Sequence, residues 1–312
     1  MKRLLISLLP VADLLLAPML ILAALLMKAI RRAGIHRMPL SRWLLRRIGV
    51  FPIDNNYYEP LFDPRGLRRP LHEERELPGI DWNEAEQIAL LRAFTQADEL
   101  ADVPEQAEEG VFHWSNATFC SGDAEYLYQL VRTRRPSLVV EVGCGYSTLL
   151  IQRALARNGA GRHICIEPYE NPWLERSGAQ VRRQRVEDVD KRVFRDLGRD
   201  DLLFIDSSHM IRPQGDVLFE VLELLPILQP GVIVHFHDVF SPRDYLHSWL
   251  DEEVRFWNEQ YLLEAFLSSN RDWKVIGALN YLRHRHYELL ESKCLRLTPE
   301  REPGSLYLQR VA

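Results

Sequence analysis

Hydrophobic positions follow three different rhythms along this chain. From Leu4 to Met27 the residues are almost all aliphatic, interrupted by Pro10, Asp13 and Pro18. Such a run predicts one helix, and at about 1.5 Å per residue it is long enough to cross a hydrocarbon core about 30 Å thick. Asp13 opposes a full crossing, because a carboxylate at mid-bilayer costs roughly 2.5–3.5 kcal/mol. The two prolines also allow a kinked helix lying in one leaflet. A cleaved signal peptide is the other alternative, with Lys2 and Arg3 as its start. The run is long for one, however, and no A-x-A-like site precedes the basic residues that follow.

Residues 51–80 are rich in Pro, Arg and Tyr without a clear period, which predicts a linker that orders on contact. A helical rhythm begins after Asp81. Asp81 followed by Glu84 forms a capping-box pattern, and Ile88, Leu91, Ala93 and Phe94 give an apolar stripe. Such a stripe more often faces a core than forms a substrate lid. Gly122 and Asp123 open another helix, with Leu127, Leu130 and Val131 as its buried face. From Ser137 onward, apolar runs of strand length alternate with helical stretches, which predicts an α/β domain. The expected strands are 137–142, 163–167, a short one near 184–186, 202–206, 231–238, 273–276 and 305–309. A helix is expected over 147–158 with Ser147 as its N-cap, and a helical stretch separates the last two strands.

Charge changes this picture locally more than globally. The 312 residues carry 39 basic and 44 acidic side chains, a net charge of -5, which argues against a general nucleic-acid binder. Yet Lys28, Arg31, Arg32, Arg37, Arg42, Arg46 and Arg47 follow the aliphatic run with no acid between Lys28 and Ile53. This basic collar reads as cytoplasmic by the positive-inside rule and is suited to anionic lipid; a basic surface helix packed on the domain is the plainer alternative. Cys120, Cys144, Cys165 and Cys294 show no CxxC pair, so neither a disulfide framework nor a zinc site is expected. Cys144 lies inside a glycine loop but has no base beside it in sequence, so it is not expected to be a nucleophile.

The loop Gly143-Cys-Gly-Tyr-Ser147 joins a strand to a helix, a place where glycines admit a ligand and the helix N-terminus favours negative charge. Glu141 just before it suits a ligand with a cationic amino-acid head, whereas a dinucleotide loop has an apolar residue there and a third glycine that is absent here. Glu167 ends the next strand about twenty residues on, where a ribose diol is held in such sheets. Glu187 and Asp188 could reach an adenine edge. Asp206, His209, His237 and Asp238 stand at the ends of later strands, where open α/β sheets place their ligands. His235 and His237 lie two apart and share a strand face. A core role suits His235, and a site role suits His237 with Asp238.

Taken together, the E-V-G-x-G-x-S-T loop (Glu141–Thr148), I-D-S-S-H (Ile205–His209) and H-x-H-D-x-F (His235–Phe240) resemble a bacterial branch of the class I S-adenosylmethionine-dependent methyltransferases. The resemblance covers roughly Phe112 to the C-terminus. It implies a Rossmann-like sheet, mostly parallel with an antiparallel last strand, behind an N-terminal hydrophobic helix. The expected division is 1–33 as membrane segment, 34–111 as linker and helical extension, and 112–312 as methyltransferase domain. By the same resemblance, Glu141, Gly143 and Gly145 would meet the methionine part of S-adenosylmethionine, and Tyr146 and Ser147 would belong to its binding site. Glu167 would hold the ribose, and Asp206 would sit beside the methyl group. Asp206, His209, His237 and Asp238 are the candidates for activating an acceptor, directly or through a divalent ion such as Mg held by Asp206, His237 and Asp238. The expected acceptor is a sugar, a membrane-linked glycan or another small hydroxyl compound at the cytoplasmic face, with membrane lipids as partners and no nucleic acid. A hydroxylase-like metalloenzyme on the same fold, a nicotinamide oxidoreductase and a non-catalytic membrane scaffold are the competing readings.

Overall fold

The computed structural model describes residues 2–106, 110–169 and 171–312, with side chains from Leu8 onward. The chain divides into two compact units, Met1–Arg68 and Arg69–Ala312.

The first unit is built on α1 (Lys2–Gly34), which runs on past Pro10 and Pro18. Its stretch from Leu8 is long and apolar enough to cross a membrane, and none of its most apolar window is buried against protein. Gly34 at φ +91° ends the helix, a conformation that suits a residue without Cβ. A 3-10 turn (Ile35–Arg37) leads to α2 (Pro39–Ile48), which starts on a proline and closes on left-handed Gly49. The basic collar is partly neutralised from within this unit. Lys28 and Arg32 lie 3.6 and 3.3 Å from Asp54, and Arg31 pairs with Glu59. Arg37, Arg42, Arg46 and Arg47 make no ion pair among the described residues.

The second unit centres on a seven-stranded sheet: β1 (Leu138–Val142), β2 (Arg162–Ile166), β3 (Gln180–Arg182), β4 (Leu202–Ile205), β5 (Ile233–Phe236), β6 (Trp273–Ala278) and β7 (Leu306–Arg310), in the order β3-β2-β1-β4-β5-β7-β6. The first five run parallel, and β7 is antiparallel to both β5 and β6. Parallel strands need both faces covered, and every residue of β1, β4 and β5 is buried. Two apolar layers, one per face, do this. They come from α3 (Glu84–Ala93), α4 (Asp123–Arg134), α5 (Tyr146–Asn158), α6 (Arg192–Arg195), α7 (Asp216–Phe219, continued by a π-turn), α8 (Glu259–Leu267), α9 (Leu279–Arg285) and α10 (Tyr287–Glu291), with the loops between them.

Several sequence expectations move. The compact unit that holds the sheet begins at Arg69. The Asp81–Glu84 capping box does not form: Asn83 is the N-cap, Asp81 accepts from the Asn83 amide, and Glu84 instead meets Tyr281 and His286. The buried side of α3 is Gln87, Leu90 and Leu91, because Gln87 caps the backbone of Trp82 and Ala278 while Ala93 faces solvent. The third strand lies at Gln180–Arg182, and Val186–Asp188 is a 3-10 turn. Ser147 is not an N-cap. Gly145 holds that place, its amide donating to Thr148 Oγ1 at 3.1 Å.

Candidate active site

Beyond the carboxyl ends of β1, β2 and β4 lies a cleft of about 770 Å³, the position where open parallel sheets bind ligands. The loop after β1 forms its floor. Gly143 adopts φ +74° and its amide reaches Ile166 O at 3.1 Å, while a Cβ there would stand 1.7 Å from the carbonyl oxygen of Asp206. Only glycine lets β1 and β4 leave the sheet this close together. Gly143, Gly145, Tyr146, Ser147, Glu167, Glu187 and Asp206 all line the cleft. The carboxylate of Glu167 accepts from the amides of Cys144 (3.2 Å) and Tyr169 (2.8 Å). Its orientation is thereby fixed.

Two expected cofactor residues are placed elsewhere. Asp188 is exposed and outside the cleft lining. Glu141 is 0% exposed and turned beneath the loop, where Ser147 Oγ and Thr148 Oγ1 donate to it at 2.6 and 2.7 Å and His163 Nε2 lies 3.0 Å away. Its carboxylate therefore ties β1 to the start of α5 and to β2, and the loop rather than this side chain lines the cleft. Burial opposes the charge on His163, but Cys165 and Glu141 outweigh it and raise its pKa to about 9. The Cys144 thiol sits over backbone carbonyls and is pushed well up by burial, so it stays neutral and unreactive.

At the β4 and β5 edge of the cleft, Asp206, His209 and Asp238 converge. His209 Nε2 is 3.2 Å from Asp206 Oδ1 and 3.6 Å from Asp238 Oδ2, and Nδ1 is 2.8 Å from Glu259 Oε2. His209 and Asp238 both hold left-handed backbone, φ +57° and +58°, a costly conformation for such residues that clusters at functional sites. Burial works against the imidazolium, but Asp206 and Glu259 prevail and hold His209 charged well above its usual range. Burial also disfavours the Asp206 carboxylate, yet His237 and His209 keep it below its usual range. Asp238 goes the other way, raised by burial and by Asp206 against the pull of His237.

His237 is buried beside Phe119, its ring 5.1 Å away, with Nε2 3.6 Å from Asp238 Oδ1. A metal-capable trio at this edge is Asp206, His209 and Asp238, whose donor atoms lie within 4.8 Å of one another, with His209 in the place expected for His237; Glu141, His163 and Cys165 form a second, buried trio beneath the loop. One nitrogen and two carboxylates suit manganese, zinc or iron better than magnesium. His235 is a core residue: it stacks on Phe204 at 4.1 Å, its Nε2 is 3.0 Å from Ser305 Oγ, and burial drives it neutral. Glu259, the partner that orients His209, lies fifty residues downstream on α8, and no local pattern marks it.

Strand order, antiparallel β7 and the glycine-floored cleft define a Rossmann-like fold of the class I methyltransferase type. Residues 140–239 match the family model described as a methyltransferase domain. A protein of uncharacterized function from Archaeoglobus fulgidus is 28% identical over 169 residues, 49% of this chain and 76% of its own length. Among solved structures, the O-methyltransferase TomG from Streptomyces achromogenes, in complex with SAM, is 16% identical at a TM-score of 0.36, covering 72% of this chain and 90% of its own. An O-methyltransferase from Bacillus cereus, in complex with SAH, is 14% identical at a TM-score of 0.38, covering 71% and 90%.

Proposed function

We propose that this protein is an S-adenosylmethionine-dependent O-methyltransferase that acts on a sugar, glycan or other small hydroxyl compound at the cytoplasmic face of a membrane. One observation carries the reading: Asp206 both lines the cleft and pairs with His209, so a cofactor-sized space and a proton-handling cluster share a wall. The residues fit the cofactor, since Gly143 and Gly145 line the cleft without side chains and Glu167 presents an oriented carboxylate there for ribose hydroxyls. When bound, S-adenosylmethionine supplies a methyl group activated on a sulfonium.

The remaining chemistry belongs to the chain. Asp206 stays ionised, and His209, already charged between Asp206 and Glu259, positions rather than accepts a proton. Asp238 is the cluster's better proton acceptor, because burial raises its proton affinity, and it takes the acceptor's hydroxyl proton. The mixed donor set also favours a second reading, in which Asp206, His209 and Asp238 hold a divalent ion that lowers the acceptor's pKa. Placement at the membrane is supported by the uncovered apolar surface of α1 and by the unpaired arginines beyond it.

Transfer of radiolabelled methyl from S-adenosylmethionine into cell-envelope extracts tests this function. Label is expected in a glycan or lipid-linked fraction with the intact chain and not with Asp238→Asn. Cofactor binding without label in any envelope fraction would exclude an envelope acceptor.

A further inference from the structure

After Gly34 the chain leaves α1 and within four residues enters α2, Pro39–Ile48. No residue of α2 is buried, although half of it is apolar. Leu40 (68% exposed), Trp43 (60%), Leu44 (43%) and Ile48 (70%) recur at helical spacing, so they form one uncovered stripe. Arg42 and Arg46 project from the opposite side. Arg47 lies within the apolar arc but in the last turn, where a long side chain carries its guanidinium outward. None of these arginines has an ion-pair partner among the described residues, in contrast to Lys28, Arg31 and Arg32.

We infer that α2 is a second membrane-contacting element, lying in the plane of an anionic bilayer surface with Leu40, Trp43, Leu44 and Ile48 sunk among the acyl chains. Three features point to lipid rather than protein. The stripe follows the apolar surface of α1 closely in sequence, with four residues between Gly34 and Pro39. The unpaired arginines complement anionic headgroups. Trp43 brings a ring that is apolar in body and polar at its Nε1, the chemistry favoured at the water–hydrocarbon boundary. An apolar face, a cationic opposite side and an interfacial Trp are the features of helices that lie on membranes rather than cross them. The inference rests on the reading of α1 as an anchor, and the test separates the two.

Nitroxide labels on the full chain, in a Cys120→Ser background, read the burial directly. Single variants Leu40→Cys, Trp43→Cys, Leu44→Cys, Ile48→Cys, Arg42→Cys and Arg46→Cys are bound to vesicles of phosphatidylglycerol and phosphatidylcholine. Collision rates with oxygen, which concentrates in lipid, and with a water-soluble nickel chelate are then measured. Oxygen contact should dominate at positions 40, 43, 44 and 48, and nickel contact at 42 and 46. Nickel contact at all six positions on vesicle-bound protein overturns the α2 inference and leaves the anchor intact. Shielding of the stripe from both reagents overturns it in favour of a protein cover. Failure of the chain to bind vesicles at all removes the anchor reading and this one with it.

Discussion

Gly143→Ala tests the floor of the cleft most directly. The added methyl carbon would begin 1.7 Å from the Asp206 carbonyl oxygen and 2.7 Å from its carbonyl carbon. Since non-bonded heavy atoms rest roughly 3.5 Å apart, one backbone must yield by about 1.8 Å. The left-handed conformation at φ +74° adds about 1–2 kcal/mol for any residue with a Cβ. Together these predict a loss of roughly 3–5 kcal/mol and a Tm lower by about 10 °C or more. Displacing Asp206 by even 1 Å would also cost about 10²-fold in turnover. Gly145→Ala is the control, because its backbone is extended and the nearest atom to a Cβ is Asn171 Nδ2 at 3.7 Å. It should unfold like the wild type yet bind S-adenosylmethionine at least tenfold more weakly, since its methyl enters the cleft. Thermal unfolding and titration calorimetry on both variants decide. A Gly143→Ala protein with unchanged Tm and affinity would refute this account of the loop.

Asp238→Asn should lower turnover by about 10²-fold while leaving cofactor affinity within twofold, measured by calorimetry beside a steady-state assay; equal losses in both would make Asp238 structural. His163 has its pKa raised to about 9 in the folded protein from 6.5, so its contribution is complete below pH 6.5 and lost as pH rises toward 9. Denaturant unfolding across that window should show a fall of about 3 kcal/mol, flattened in His163→Gln; a flat wild-type profile would contradict the buried pair. High salt alone should fail to strip the full chain from membranes, whereas detergent should release it, because screening weakens the arginines but not apolar burial. Recovery of the intact chain in the soluble fraction would end the anchor reading.

The strands that carry the site were legible because their apolar runs are unbroken and end in polar residues: 138–142, 202–205 and 233–236 fall inside the expected segments. The short strand Gln180–Arg182 was not, since an edge strand of three residues with one apolar side chain and none buried leaves no periodic mark. Glu141 shows a different limit. Its motif is visible in sequence, but the direction of its carboxylate depends on Ser147, Thr148 and His163 arriving from three elements. The grouping of His209 with Glu259 is equally a product of tertiary folding, as was the exchange of His237 for His209 in the possible metal set. Asp206 and Asp238 could be placed from sequence alone, because strand ends in such sheets converge whatever the loops do.

The strand order has a consequence for how the molecule comes into being. β6 has β7 as its sole neighbour, and β7 is the last of the seven to leave the ribosome, so β6 emerges before anything exists for it to pair with. The same late segment brings Ser305, whose hydroxyl links Asp123 to the His235 ring beneath the site. During synthesis, therefore, α1 and α2 emerge long before the sheet closes. On the proposed membrane reading, the chain would be tethered while its sheet was still open at β7, and the site would assemble afterwards.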